Sequence, residues 1–225
     1  SEIADRLEKS SDLAAEVQQV LKEIVSGHKR IIFNGNNYSE DWVLEAEKRG
    51  LPNIRSTVEA IKALTSEKNI KVFEKHKVLN RSELHSRYEI NLELYIKTIN
   101  IEALTMIDMA RRQILPAVIN YTGQIANSIH SIKATGLNVD ISAQTELLTE
   151  VSTLCASLKN AISSLEKAVE AASASHGDTY DHACMFKDLV FTKMNELRAI
   201  ADKLETLVDA KLWPFPTYGD LLYNI

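Results

Sequence analysis

The stretch HSRYEINLELYIKTINIEA, from His85 to Ala103, decides the fold because it carries apolar residues on two sides of one helix. At about 100° per residue, one set falls on a single side and predicts an ordinary core-facing stripe. That set consists of Leu84, Tyr88, Leu92, Tyr95, Ile99, Ala103 and Met106. A second set points roughly 140 to 280° away from Leu84 and consists of Ile90, Leu94, Ile101, Leu104 and Ile107.

One partner layer cannot cover both sides of such a helix. We therefore expect bundle partners from the same chain on the first side. On the second side we expect a further layer, which is another part of the chain, a missing domain or a neighbouring subunit.

The helical period extends from this stretch in both directions. Upstream, Asn80 begins the sequence NRSE, which is typical of a capping box at a helix start. Downstream, the helical spacing persists to about Lys133, a length of roughly 80 Å in an unbroken helix. Pro116 lacks a backbone donor and predicts a kink near residues 112–115. The sequence therefore predicts one kinked helix or two nearly collinear ones.

Two further long helices are predicted after Gly136, a residue typical of a helix end. Apolar residues at steps of three and four mark one helix over residues 142–173 and another over about residues 180–212. The loops between these helices are short, so successive helices should run antiparallel. We expect an all-α fold in which residues 80–225 form an antiparallel bundle of three long helices.

Shorter elements precede the bundle. The first segment predicts one amphipathic helix that ends at Gly27, and further short helices are expected to begin near Ser39, Ser56 and Ser66. The segment RIIF, residues 30–33, is the only candidate strand. Residues 1–79 are therefore expected to be a segment of short helices.

The terminal segment WPFPTYGDLLYNI, residues 213–225, has a different character from the helices before it. Its two prolines prevent it from continuing the last helix. Its aromatic residues Trp213, Phe215 and Tyr218 are too large an apolar surface to leave in water, so we expect this extended tail to dock on a groove.

The composition favours a soluble globular protein of the reducing cytoplasm. With 45% hydrophobic and 25% charged residues, the 225-residue chain can bury a real core. Its net charge of −5 argues against nucleic acid or an anionic membrane as the main partner. The two cysteines, Cys155 and Cys184, are too few for a disulfide framework. The longest uncharged run, residues 113–132, carries too many polar residues for a membrane span.

Two groups of residues are candidates for a metal site. His85 and Glu89 lie one turn apart, but the Glu-x-x-His pair that di-iron bundles carry on two helices is absent. The segment HGDTYDHAC is the densest set of ligand types, with His176, Asp178, Asp181, His182 and Cys184. We favour a helix end followed by a new helix that Asp178 caps, and a metal site is the alternative.

Glu102 is the one acidic residue that the helical angle places within the core-facing stripe. Burial there would require a partner, so we expect a structural contact with an Arg, Lys or Tyr side chain. A role in a site and simple exposure at an unfilled groove are the alternatives. Glu89 and Glu93 fall at the border of the two faces, where solvated carboxylates are ordinary.

Four stretches carry a resemblance to a known family, and in chain order they are IIFNGNNYSEDWVLEAEKRGLPN (31–53), ELHSRYEINLELYIKTINIEALTMIDMARRQILPAV (83–118), HGDTYDHACMFKDLV (176–190) and WPFPTYGDLL (213–222). In the same order they resemble segments of type III glutamine synthetases, the large bacterial-type form of that enzyme. The longest stretch resembles the long helix of this family.

The resemblance implies a parent enzyme that joins glutamate and ammonia to give glutamine. That parent would use ATP and magnesium or manganese, pass through a γ-glutamyl phosphate and form stacked rings of subunits. The family's catalytic residues lie on a β-sheet barrel with a glycine-containing ATP loop, and no segment here matches those motifs. We therefore assign no catalytic, cofactor-binding or metal-binding residue, and we expect this chain alone to be inactive although its parent is an ATP-dependent ligase.

Three hypotheses about function follow. The first is a non-catalytic C-terminal structural and assembly portion of the synthetase, whose partners are the missing catalytic domain and neighbouring subunits of a homo-oligomeric ring. In that case residues 1–79 can include the end of the catalytic domain. The second is a self-standing helical adaptor that binds a partner helix. The third is a metal-dependent bundle enzyme.

Overall fold

The fold is all-α, as predicted. The computed structural model of the chain describes residues 2–175, 177–216 and 218–223, and for residues 218 and 219 it describes the backbone alone. These residues form helices, turns and irregular segments, with no β-strand among them. The chain divides into two compact units, Ser1–Ser56 and Thr57–Ile225. The predicted division of the chain into residues 1–79 and 80–225 stays a prediction.

The first unit consists of short helices. They are α1 (Glu2–Glu8), α2 (Leu13–Gly27), a 3₁₀ turn (Lys29–Ile31) and α3 (Glu40–Lys48). The 3₁₀ turn includes Arg30 and Ile31, and Ile32 and Phe33 lie outside any regular element, so the candidate strand was wrong.

The prediction of a single helix up to Gly27 was also wrong, because the chain breaks between Glu8 and Leu13. Asp12 caps α2 by accepting a hydrogen bond from the backbone N–H of Ala15 at 3.1 Å. The Ser10 hydroxyl donates to the Asp12 carbonyl at 2.8 Å. Short polar side chains of this kind compete with helical backbone bonds and favour caps. The apolar period continued across the break, which is why periodicity alone did not show it.

The second unit holds the long helices and several short ones. They are α4 (Thr57–Lys62), α5 (Glu67–Lys75), α6 (Arg81–Met109), α7 (Leu115–Ala134), α8 (Ser142–Ser173), α9 (Thr179–Met185), α10 (Phe191–Leu207) and α11 (Tyr218–Leu222). The predicted capping box at the start of α6 is confirmed. Asn80 accepts from the Glu83 N–H at 2.9 Å, and the Glu83 carboxylate accepts from the Asn80 N–H at 2.7 Å.

A π-helical turn, Ala110–Ile114, separates α6 from α7 at the place where Pro116 predicted a break. The Leu115 N–H donates to the Ala110 carbonyl, which widens the helix by one residue just before the proline. Because Pro116 has no N–H to donate, this turn absorbs the missing bond. A second π-helical turn, Phe186–Val190, joins α9 to α10 without a proline, so no sequence signal announced it.

The contacts between α7 and α8 show that these two helices are antiparallel. Arg111, in the π-helical turn before α7, forms an ion pair with Glu166 of α8. Further along α7, Leu115 and Ile119 lie with Ser152 and other α8 residues of lower number. The antiparallel arrangement of all three long helices stays a prediction.

The last long helix ends at Leu207, five residues before the predicted position near residue 212. Val208 adopts an extended backbone with ψ of 142°, and its side chain is buried. Asp209 then accepts from the backbone N–H of Lys211 at 2.9 Å, which is a local turn that competes with the helix. The end of the helix at Leu207 and the turn at Asp209 bring Trp213 into the main core.

The core of the second unit has two clusters. The main one joins α6, α7, α8 and α10 and buries Leu158, Ile162, Leu165, Phe186 and Leu204, among others. A smaller cluster packs α4 and α9 against α6 and contains Val58, Ile61, Leu92 and Ala183. Helix α6 therefore contributes to both clusters along one side.

Candidate interaction surface

The core-facing stripe of α6 is confirmed. Leu84, Leu92 and Ala103 have no exposed surface, and Ile99 is buried beside them. Tyr88, Tyr95 and Met106 are half-buried. This side of α6 is fully used by the second unit of the chain.

The opposite side of α6 remains apolar and exposed, and we call it the outer face. It consists of Ile90, Leu94, Ile101 and Leu104, with exposed fractions of 60%, 59%, 64% and 50%. Steps of four, seven and three residues place all four on one side of the helix. The second apolar side that the sequence predicted is therefore present, and no described residue of the second unit buries it.

Ile107 was predicted to share the outer face, and that was wrong, because only 7% of it is exposed. It follows Ala103 by four residues, which places it about 40° from that buried side chain on the helix. Ile107 accordingly belongs to the main core cluster. The outer face therefore ends at Leu104.

A groove of about 510 Å³ lies between α6 and α10, and we call it the α6/α10 groove. Its floor is apolar and contains Met106, Met109, Met194 and Leu197. Trp213 and Phe215 of the terminal segment also line it. Their rings contact each other edge to face, with centroids 6.2 Å apart and an interplanar angle of 77°.

Charged side chains surround the α6/α10 groove. Glu102, Asp202 and Glu205 are acidic, and Arg198 is the basic member. The Arg198 Nε donates to Asp202 at 2.6 Å. Glu102 is exposed here, so the expected buried contact was wrong and the alternative of exposure at an unfilled groove describes its position.

Trp213 is 9% exposed and belongs to the main core cluster, and Phe215 packs against that cluster. The indole Nε1 of Trp213 is buried and has no hydrogen-bond acceptor in the part of the chain that the structure describes. Buried polar groups nearly always have a partner. The prediction for the side chain of Tyr218 lies outside the described residues.

The segment of residues 176–184 forms the start of α9, in keeping with the favoured interpretation. Asp178 caps α9 by accepting from the Asp181 N–H at 2.8 Å. The His182 ring packs edge to face on Phe186, with centroids 5.3 Å apart. His176 lies outside the described residues. Among the residues that are described, no three His, Cys, Asp or Glu side chains come together in a way that could hold a metal.

The sequence did not predict one polar contact between helices. Lys187, in the second π-helical turn, pairs with Glu59 of α4 and lies 3.2 Å from Asp188. The hydrogen bond from Lys187 lowers the pKa of Glu59 below its usual range and raises the pKa of Lys187. Lys62 of α4 also lies over the ring of Tyr180, 4.8 Å from its centroid. These pairs join α4 to the α9 region and have no local sequence signal, because the partners are far apart in the chain.

The other candidates occupy ordinary positions. His85 and Glu89 are both exposed on α6. Cys155 and Cys184 are half-buried free thiols, and burial raises the pKa of Cys155. Arg112 pairs with Asp108 at 3.3 Å, one turn away. Within the described ranges, no helix has the length and apolar character that crossing a membrane requires.

The described residues therefore present an exposed apolar face and an apolar groove on one helical scaffold. A family model described as the glutamine synthetase C-terminal domain matches residues 16–133, which include all of α6 and most of α7. The chain belongs to the glutamine synthetase C-terminal domain family. This confirms the resemblance that the four sequence stretches indicated.

Individual relatives of the chain agree with this family assignment. The chain is 34% identical to a glutamine synthetase of Butyrivibrio fibrisolvens over 95% of its own length. It is 34% identical to the type-3 glutamine synthetase of Dictyostelium discoideum over 91% of its length, and 28% identical to a glutamine synthetase of Bacteroides fragilis (strain YCH46) over 92%. The matched segment is 30%, 28% and 29% of these relatives, so the chain spans less than a third of their length.

Proposed function

We propose that this chain is the non-catalytic structural and assembly portion of a type III glutamine synthetase. Family membership supports the proposal, as does the small share of each relative that the chain spans. The observation that carries it is the outer face of α6, where four large aliphatic side chains are at least half exposed. Soluble proteins seldom leave a contiguous apolar strip open to water unless a partner covers it.

The proposed cover of the outer face is the catalytic domain or a neighbouring subunit of the same synthetase. Complete burial of a large aliphatic side chain stabilises by about 1.5–3 kcal/mol, so covering four that are already partly buried contributes roughly 4 kcal/mol in total. A contribution of that size shifts an association equilibrium by about a thousandfold. The outer face is therefore large enough to influence assembly.

We infer that the chemistry of the parent belongs to its remaining part. The parent would ligate ammonia to glutamate with ATP and magnesium or manganese, through a γ-glutamyl phosphate. Nothing in the described residues of this chain is assigned to that reaction. The isolated 225-residue chain should form no γ-glutamyl hydroxamate from glutamate, hydroxylamine, ATP and magnesium or manganese, and ATP-dependent formation of that product would contradict the proposal.

The assembly role can be tested in the full-length synthetase that contains this segment. The test variant carries Ile90→Glu with Leu94→Glu, which places two charges on the outer face and leaves the α6/α10 groove unchanged. We expect the oligomer to dissociate, or the full-length protein to lose stability, because the charges cannot be buried without a partner. Mass photometry measures the size distribution, and urea denaturation measures the stability.

A matched control separates the outer face from a general effect of charge. Leu137 is 70% exposed in the loop between α7 and α8, and Leu137→Glu should leave the oligomer intact. In the isolated chain, the double variant should keep the helicity and melting temperature of the wild type. Unchanged rings and unchanged stability in the full-length double variant would refute the assembly role.

A further inference from the structure

We propose that the α6/α10 groove binds an amphipathic helix of a protein partner, with apolar residues on one face and Lys or Arg at its edges. The proposal goes beyond the assembly role, because the groove lies on a different side of α6 from most of the outer face. It makes the adaptor alternative specific by naming the site and the chemistry of the partner.

The dimensions of the groove fit a helix. Its lining extends from Ile101 to Ile114 along one wall and from Met194 to Glu205 along the other. At about 1.5 Å per residue, these walls are roughly 15–20 Å long, which matches a helix of three to four turns.

The floor of the groove is suited to helix side chains. Three of its residues are methionines, Met106, Met109 and Met194. Methionine is unbranched and polarizable, and surfaces rich in it adapt to different apolar partners. An amphipathic helix offers apolar side chains at i, i+3, i+4 and i+7, which insert into such a groove.

The charges around the groove select a basic partner. Glu102, Asp202 and Glu205 outnumber Arg198, and Arg198 is already hydrogen-bonded to Asp202. Lys or Arg residues at the edges of a docked helix would pair with Glu102 and Glu205, whereas acidic residues would be repelled. A second copy of this chain is disfavoured for the same reason, since its net charge is −5.

The indole of Trp213 is a second, independent indication of a ligand. Trp213 is more than nine-tenths buried and lines the groove, and its Nε1 lacks an acceptor among the described residues. The last turn of a helix has carbonyl groups without an intrahelical partner. A docked helix that ends beside Trp213 would supply the missing acceptor.

The test uses two peptides of about 18 residues with the same apolar face, one with Lys at the edges and one with Glu. Each carries fluorescein, and binding to the 225-residue chain is measured by anisotropy at low and high salt. We expect the Lys peptide to bind about tenfold more tightly at low salt, with a smaller difference at high salt. In the Trp42→Phe variant, Trp213 is the only tryptophan, and its emission should change as the peptide saturates the groove.

Charge-reversal variants locate the site. Glu102→Lys with Glu205→Lys should weaken the Lys peptide about tenfold. The control, Glu146→Lys with Glu150→Lys, makes the same change on exposed residues of α8 and should leave binding unchanged. Circular dichroism verifies that both variants keep their helices.

Each of the following results would overturn the proposal: equal binding of the two peptides, equal effects of the two charge reversals, or no change in Trp213 emission. A change in Trp213 emission with protein concentration alone would also overturn the proposal, because a second copy of the chain would then fill the groove. Failure of the Lys peptide to bind the full-length synthetase would overturn it as well, because the rest of the enzyme would then cover the groove. The outcome is separable from the assembly role, because none of these variants alters the outer face.

Discussion

Two leucines of α6, separated by one residue, should differ sharply in what they contribute to stability. Leu92 has no exposed surface and packs in the cluster that joins α4 and α9 to α6, whereas Leu94 is 59% exposed on the outer face. Replacing a fully buried leucine by alanine costs about 2–5 kcal/mol, because transfer free energy is lost and a cavity remains. We expect about 3 kcal/mol for Leu92→Ala and less than about 1 kcal/mol for Leu94→Ala.

The measurement is thermal and urea unfolding of the isolated chain in the Trp42→Phe background, where Trp213 reports on the second unit. A loss of about 3 kcal/mol corresponds to a melting temperature lower by roughly 6–12 °C for a unit of this size. The Leu94→Ala variant should melt within about 3 °C of the wild type. Equal losses in the two variants would refute the assignment of one face to the core and the other to a partner.

Three further predictions concern stability. Asn80→Ala removes the cap of α6 and should cost about 1 kcal/mol in urea unfolding; no loss would contradict the capping role. Gly136 has φ of +73°, so Gly136→Ala should lower the free energy of unfolding in urea. Gly123 lies within α7 with open space at its Cβ position, so Gly123→Ala should raise that free energy by about 0.5–1 kcal/mol. The hydrogen bond from Lys187 lowers the pKa of Glu59. The ionised Glu59 therefore stabilises the folded chain above the ordinary glutamate pKa near 4.5, and this stabilisation is lost as the pH falls through the lowered pKa. Acid titration of unfolding should therefore show a smaller pH dependence in Glu59→Gln, and identical curves would contradict this.

The sequence was sufficient for features that depend on local chemistry or on helical period. Asn80 and Glu83 form the predicted cap because the residue types and their spacing are enough to define it. The break before Pro116 follows from a missing backbone donor. The two apolar sides of α6 follow from the angle between residues, which tertiary contacts do not alter.

Features that depend on competition or on distant partners were not predictable in the same way. The start of α2 at Leu13 required the Asp12 cap to outweigh a continuing apolar period. The ion pair between Lys187 and Glu59 joins residues that are far apart in sequence. The α6/α10 groove needs Trp213 to be positioned by the early end of α10 at Leu207, which periodicity had extended.

We expect the outer face of α6 to be covered in the full-length synthetase. Leu94→Cys places a thiol on that face, and Leu137→Cys places one on an exposed loop as a control. Thiol alkylation followed by peptide mass spectrometry gives the rate at each position in the isolated chain and in the assembled enzyme. We expect the Leu94→Cys thiol to react at least about tenfold more slowly in the assembly and the Leu137→Cys thiol to react at an unchanged rate. Equal rates at Leu94→Cys in both forms would contradict this expectation.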